Sequence, residues 1–158
     1  MFQIGDKVFY PMYGAGIIEA IEEKEILGKK QEYCVITIPL SKMDVMIPTK
    51  AVKKSRVRLI VDRKEATDIL FDFHNNEESV CSLPWKERLN KNTEKMKTGE
   101  MHDTAEVVRD LLHHKKVKAL NSSEKQMLDH AMKFLISELI LIKDITENEA
   151  ADLLKLSS

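Results

Sequence analysis

Residues 7–48 have the sequence KVFYPMYGAGIIEAIEEKEILGKKQEYCVITIPLSKMDVMIP, and this stretch decides the fold of the first part of the chain. Short runs rich in β-branched and aromatic residues alternate with breaks that contain Gly, Pro or Ser, a pattern typical of antiparallel hairpins. The pattern predicts four strands, at 8–10, 16–21, 33–38 and 45–47. Residues 35–38 are largely apolar on both faces, which favours a small closed β-barrel of the SH3-like or Tudor-like kind.

The pattern changes after Pro48. Between Val57 and Ser158, the only glycine or proline residues are Pro84 and Gly99, and each falls at a predicted helix boundary. Apolar residues recur at helical spacing, which predicts about five amphipathic helices. Four segments begin with the capping-box spacing, at Asp62/Glu65, Asp103/Glu106, Asn121/Glu124 and Thr146/Glu149. The sequence therefore predicts an α+β protein with two domains: a β module at 1–52, a basic linker at 53–60 and an all-α bundle at 61–158.

The composition narrows the class of protein. Of 158 residues 43% are apolar, and 25 basic against 26 acidic residues give a formal net charge of −1. Such a chain has no global attraction to nucleic acid or membranes, so any such binding must be local. The start lacks the basic and apolar regions of a signal peptide, and the most apolar stretch, 134–142, is far shorter than the ~20 residues of a membrane-spanning helix. We expect a cytoplasmic chain with no membrane partner.

The five histidines and two cysteines are the candidates for catalysis or metal binding. Cys34 and Cys81 form no CxxC pair, and the adjacent His113 and His114 point about 100° apart on a helix, so they cannot chelate one metal ion. Cys81 beside a histidine could act as a nucleophile with its base, but no Gly-rich loop or oxyanion motif surrounds it. We therefore predict no catalytic residue, no metal and no cofactor.

The single tryptophan, Trp85, begins the least apolar predicted helix, at about 84–98, and is followed closely by Lys86 and Arg88. An aromatic side chain beside cations is suited to wedge between or stack on bases while the cations neutralise phosphates. The alternative interpretation is a core anchor that seals the start of the helix. Composition alone favours this alternative slightly.

Three motifs connect the chain to a known family: Gly5-Asp6-Lys7-Val8-Phe9-Tyr10-Pro11 near the start, Trp85 with Arg88 and Asn92, and Ala105-Glu106-Val107-Val108-Arg109-Asp110-Leu111. Together they resemble the motifs of the bacterial CarD/CdnL transcription regulators, and the resemblance covers nearly the whole chain. The last motif and the tryptophan are fairly specific, whereas the first is common in small barrels. The chain lacks the basic tail of the larger CarD proteins, so it resembles the short CdnL type.

This resemblance implies a Tudor-like module, shared with transcription-repair coupling factors, that binds the β subunit of bacterial RNA polymerase. It also implies a helical domain that contacts promoter DNA at the upstream edge of the transcription bubble, with a tryptophan wedged into the minor groove that stabilises the open complex. The DNA-binding residues carried over are Trp85, Lys86, Arg88, Lys91 and Lys125. The polymerase-binding residues carried over are Lys24, Met46, Ile47 and Pro48. Glu87 and Asn90 interrupt a stretch that is often basic in relatives, and Met46 stands where some relatives have arginine.

We expect a monomer in solution that acts on RNA polymerase and promoter DNA. A second hypothesis is a generic protein-interaction adaptor, whose barrel binds a peptide or strand edge while the helices provide a scaffold. An enzyme that uses Cys81 and a histidine ranks last.

Overall fold

The computed structural model describes residues 2–75 and 83–155, and in it the chain divides into a β unit, Met1–Ile60, and a helical unit, Val61–Ser158. The predicted α+β class with two domains is confirmed. Residues 58–59, part of the predicted linker 53–60, form a short strand that pairs with the first strand of the sheet. The β unit therefore extends to Ile60, further than the predicted boundary at residue 52.

A five-stranded antiparallel sheet forms the β unit. Its strands are β1 (Lys7–Tyr10), β2 (Gly14–Ile26), β3 (Lys29–Ile38), β4 (Met43–Pro48) and β5 (Arg58–Leu59), in the order β4-β3-β2-β1-β5. A single 3₁₀ turn, Thr49–Ala51, follows β4. The four predicted strands are present, and β2 and β3 are longer than predicted because they continue into an exposed hairpin that turns at Leu27 and Gly28.

The sheet is open, so the prediction of a closed barrel is wrong. Within residues 2–75, β4 and β5 lie at opposite edges of the sheet and no ladder joins them. On β3, Cys34, Ile36 and Ile38 are buried in the core, whereas Val35 and Thr37 on the other face are only half-buried. The second face of β3 is thus partly covered, and partial cover is enough to favour apolar residues there without closure of the sheet.

The helical unit contains α1 (Arg63–Asn75), α2 (Trp85–Lys97), α3 (Met101–Val117), α4 (Ser122–Lys143) and α5 (Glu147–Leu153) in its described part. The predicted apolar stripes face the interior: the most buried side chains include Ala66, Ile69 and Phe73 on α1, Val107, Val108 and Leu111 on α3, and Leu128, Ala131, Leu135 and Leu139 on α4. Among the described residues, no helix combines the length and apolar character needed to cross a membrane.

Three of the four predicted capping residues do cap the start of a helix. Thr146 and Glu149 form a complete capping box, and the Asp62 and Asn121 side chains accept the N–H groups of Glu65 and Glu124. The box predicted at Asp103 is wrong, because Asp103 is the third residue of α3, which begins at Met101 and has Glu100 as its N-cap. Asp103 instead accepts a hydrogen bond of 2.7 Å from the hydroxyl of Thr98.

Candidate nucleic-acid interface

Trp85 is the first residue of α2, directly after Pro84, and 46% of its surface is exposed. Pro84 is the N-cap of the helix, and its carbonyl oxygen accepts the first hydrogen bond of the helix from the N–H of Arg88, at 3.0 Å. The ammonium nitrogen of Lys86 lies 5.7 Å from the centre of the indole ring. Trp85 is therefore not a fully buried core anchor, and nearly half of its surface is open to a partner.

The rest of α2 is held by polar groups. Its buried side chains are Arg88 and Asn92, whereas Leu89 and Met96 are only half-buried. Arg88 Nε donates to Glu124 Oε2 at 2.7 Å and Arg88 Nη2 donates to Glu124 Oε1 at 2.9 Å, a bidentate ion pair between α2 and α4. A third bond, of 3.3 Å, joins Arg88 Nη1 to the carbonyl oxygen of Leu83.

This geometry corrects the predicted role of Arg88. The side chain is 6% exposed and its guanidinium is directed at a buried carboxylate, so it does not present its charge to a DNA phosphate. Spacing in the sequence placed Arg88 one turn from Trp85 but could not show that Glu124, 36 positions later, binds it.

An open groove of about 590 Å³ begins at Trp85. Its opposite wall contains the last turn of α3, the loop that follows and the first turn of α4, with the polar side chains of His114, Lys118, Asn121, Ser122 and Ser123. The first N–H groups of a helix point outward and carry partial positive charge, so a helix start is suited to an anion. The groove therefore combines an aromatic face with groups that can bind phosphate.

Sequence reasoning missed Ser122 and Ser123 as groove residues. Both are exposed and follow Asn121, the N-cap of α4. The capping spacing at Asn121 and Glu124 predicted that a helix starts here. It did not predict that this start lines the same groove as Trp85, because the two lie in distant parts of the chain.

The other predicted DNA-binding residues are on the surface. Lys86 and Lys91 are exposed on α2, and Lys125 is exposed in the first turn of α4. Lys86 lies beside the indole, and neither Lys86, Lys91 nor Lys125 is among the residues that line the groove. The structure thus brings Lys86 beside Trp85, whereas Lys91 and Lys125 are exposed positions on α2 and α4.

Further along α2, Lys95 binds α3. Its ammonium nitrogen lies 3.1 Å from Glu106 Oε2 and 3.9 Å from Asp110 Oδ2. Burial raises the pKa of the Asp110 carboxyl, and Lys95 and Arg109 oppose this effect. In the sequence, Lys95 adds to the positive charge of α2. In the structure, its ammonium group pairs with two carboxylates of α3 and so helps to hold α2 against α3.

At the polymerase-binding positions predicted for the β unit, the side chains of β4 alternate between the two faces of the sheet. Met46 is 39% exposed and Pro48 is half-buried, whereas Ile47 is 2% exposed and belongs to the core. The Ile47 side chain therefore faces the core, and a partner could reach this residue only through its backbone. Lys24, on β2, is exposed and lies beside Met46.

Cys81 and a cluster of three side chains on α3 are the groups to consider for catalysis or metal binding. Cys81 lies outside the described residues. Within 83–155, His102, Asp103 and Glu106 lie close together on α3, but Nδ1 of the histidine faces Asp103 and Nε2 faces Glu106, at 3.7 and 3.6 Å. Asp103 already accepts a hydrogen bond from Thr98 and Glu106 pairs with Lys95, so both carboxylates of the cluster have partners within the protein.

Comparison with known proteins matches both units to one family. The family model of the CarD-like/TRCF RID domain matches residues 2–61, and that of the CarD C-terminal domain matches residues 68–155. The chain is 56% identical over 149 residues to YdeB of Bacillus subtilis (strain 168), described as a candidate transcription factor, and the match covers 94% of this chain and 97% of YdeB. A solution NMR structure of the 72-residue N-terminal domain of Myxococcus xanthus CarD is 30% identical, covers 37% of this chain and 79% of that domain, and has a TM-score of 0.33. The chain therefore belongs to the CarD family.

Proposed function

We propose that the chain regulates transcription initiation by binding RNA polymerase through its β unit and stabilising melted promoter DNA through its helical unit. CarD-like proteins are transcription regulators and not enzymes, and membership of the family gives this general role to the chain. The finer role, contact with the polymerase β subunit and stabilisation of the open complex, is our proposal.

The exposed indole of Trp85 carries the proposal for DNA. It is the first residue of α2, lies beside Lys86, and lines the same groove as the start of α4, which is suited to a phosphate. An aromatic side chain that inserts at an unstacked base step binds opened DNA better than closed duplex, and base–aromatic stacking contributes about 1–3 kcal/mol. This difference in affinity shifts the promoter toward the open complex.

Support for the polymerase contact comes from the edge of the sheet. Within the described residues, β4 pairs only with β3, so its other side can hydrogen-bond to a strand of a partner. Met46 on this strand is exposed, and the exposed Lys24 side chain reaches it from β2. Pro48, which lacks an N–H, ends the strand and limits the length of such pairing.

Tethering explains why a chain with a net charge of −1 can act on DNA. Weak affinity is sufficient when a second module holds the DNA-binding surface beside the promoter, because the tether raises its local concentration to the millimolar range. The β unit would hold the protein on the polymerase beside the promoter, and the helical unit would stabilise the melted DNA.

The test is the lifetime of the open complex at a responsive promoter, with the full chain and the bacterial RNA polymerase. Trp85→Ala should shorten the lifetime at least about fivefold, which corresponds to the loss of one stacked base. Phe71→Ala is the matched control, because Phe71 is 65% exposed on α1 and is not a groove residue. An unchanged lifetime with Trp85→Ala would contradict the proposal for DNA.

Capture of the polymerase tests the other half of the proposal. The Trp85→Ala protein should retain the β subunit as well as the wild type does, because the substitution lies in the helical unit. If the wild-type chain recovers no polymerase, the generic adaptor becomes the better hypothesis.

A further inference from the structure

We infer that the Arg88–Glu124 ion pair positions Trp85 for insertion into DNA, so that Arg88 and Glu124 are positioning residues that need not contact DNA themselves. The inference rests on the proposed function. It assigns to the two charged residues a role in orienting the wedge.

Arg88 and its partner Leu83 flank Trp85 in the sequence. One nitrogen of the guanidinium binds the carbonyl oxygen of Leu83, two residues before Trp85, while the other two bind the carboxylate of Glu124. Arg88 itself is three residues after Trp85. A single planar group therefore connects the backbone on both sides of the tryptophan to α4, and a bidentate pair also fixes the angle of approach.

Apolar packing provides little alternative anchorage for this end of α2. Arg88 and Asn92 are its buried residues, and the indole of Trp85 is itself nearly half exposed. A wedge must keep its aromatic face accessible, so the helix cannot be fixed by burying that face. An ion pair below the helix surface holds α2 in place and leaves the indole exposed.

Glu124 also belongs to the start of α4. Its N–H donates to Asn121 Oδ1 at 2.9 Å, but its carboxylate binds Arg88 rather than returning to the N-cap backbone as in a complete capping box. The residue that ends the first turn of α4 thus also holds α2. As a result, Trp85 and the groove residues Ser122 and Ser123 keep a fixed relation, which reduces the ordering that DNA binding requires.

Two conservative variants separate positioning from direct contact. Arg88→Lys keeps a positive charge but loses the bidentate geometry, and Glu124→Gln removes the negative charge with little change in shape. Each should shorten the open-complex lifetime by no more than Trp85→Ala does, about threefold to fivefold, when Trp85 is present. In the Trp85→Ala background the effect should be less than about twofold, because the orientation of an absent wedge has no effect. Lys125→Gln, which alters a proposed phosphate contact, is the control and should have the same effect in both backgrounds.

Equal effects of Arg88→Lys and Glu124→Gln in the two backgrounds would overturn the inference. This result differs from failure of the proposed function, in which Trp85→Ala alone leaves the lifetime unchanged. The comparison is made at temperatures where the far-UV circular dichroism of each variant equals that of the wild type, so that loss of fold does not contribute.

A second measurement needs no DNA. Trp85 is the only tryptophan, so time-resolved fluorescence anisotropy reports on this side chain alone. In both variants, the fast local motion of the indole should increase in amplitude while the secondary structure is unchanged. Indole motion equal to that of the wild type in the folded Arg88→Lys protein would also overturn the inference.

Discussion

The ammonium nitrogen of Lys24, on β2, lies 3.6 Å from the sulfur atom of Met46, on β4. Since β3 separates these strands, the two side chains meet over one face of the sheet, although they are 22 positions apart in the sequence. Glu22 lies 3.6 Å from the same ammonium group. The result is an exposed patch in which an apolar side chain is next to a cation, a combination suited to a protein partner.

This patch leads to the first prediction. Met46→Glu and Lys24→Glu should each weaken capture of RNA polymerase about tenfold or more, because each replaces an attractive contact with a negative charge at the proposed interface. Binding is measured by interferometry with immobilised polymerase. Lys53→Glu, a charge reversal at another exposed lysine of the β unit, should have little effect. Ile47→Val should also leave the affinity unchanged, since Ile47 faces the core; a loss of affinity there would contradict its placement.

The second prediction concerns salt. Lys86→Gln and Lys125→Gln should each lower the slope of log affinity against log salt concentration by about 0.9 for a forked DNA duplex, which is the contribution of one phosphate contact. Lys64→Gln, at an exposed position on α1, is the control and should not change the slope. If all three variants have the same slope, the contacts assigned to Lys86 and Lys125 are wrong.

The third prediction tests the packing of the sheet at Gly16. A Cβ atom added there would lie 2.6 Å from the carbonyl oxygen of Thr37 and 2.8 Å from Cγ2 of Ile36, so β2 and β3 would have to separate. Gly16→Ala should lower the free energy of unfolding of the β unit by about 1–3 kcal/mol, measured by hydrogen exchange of the β2 amides. Gly28→Asn is the control, because it has open space and asparagine tolerates the positive φ of 78° there. Equal protection in the two variants would count against the close approach.

The fourth prediction follows from the raised pKa of Asp110, whose ordinary value is 3.8. Burial is the largest cause, and the folded state therefore holds the proton more tightly than the unfolded state. Stability contributed by this group decreases as the pH rises from 3.8 through the folded-state pKa. Asp110→Asn removes this dependence, so the stability of the variant relative to the wild type should increase between about pH 4 and about pH 8.

Urea unfolding at the two pH values measures this difference. Lys95 opposes the effect of burial on Asp110, so the pH dependence of the Asp110→Asn effect should be larger in a Lys95→Met background. A stability difference that stays constant with pH, or decreases as the pH rises, would show that burial does not control this carboxyl.

Local patterns predicted much of the fold. Alternating runs and turn residues located the first four strands, and Pro84 and Gly99 marked the two ends of α2. The fifth strand was missed, because Arg58 and Leu59 form it through pairing with Val8 and Phe9, and a two-residue segment has no pattern of its own. Closure of the barrel was predicted incorrectly, because apolar residues on both faces of a strand indicate burial and do not specify which strands pair.

The candidate site was only partly predictable. Trp85 stood out because a large aromatic residue is unusual in an otherwise polar helix, but its exposure depends on how α2 packs. Ser122 and Ser123 were missed because serine at the start of a helix is common. Ile47 and Met46 are adjacent in the sequence, and strand geometry gives them opposite faces, so both could not contact a partner through their side chains.

By itself, the sequence determined the two-part organisation, most of the elements and the family, since these depend on local spacing and on motifs of neighbouring residues. Only the tertiary structure decided which charges are exposed and which are paired inside the protein. Arg88 and Lys86 carry the same charge and lie two positions apart, yet one binds a carboxylate 36 positions away and the other lies beside the indole at the surface. A formal charge follows from residue type alone, whereas its exposure and its partner follow from the packing of α2 against α3 and α4.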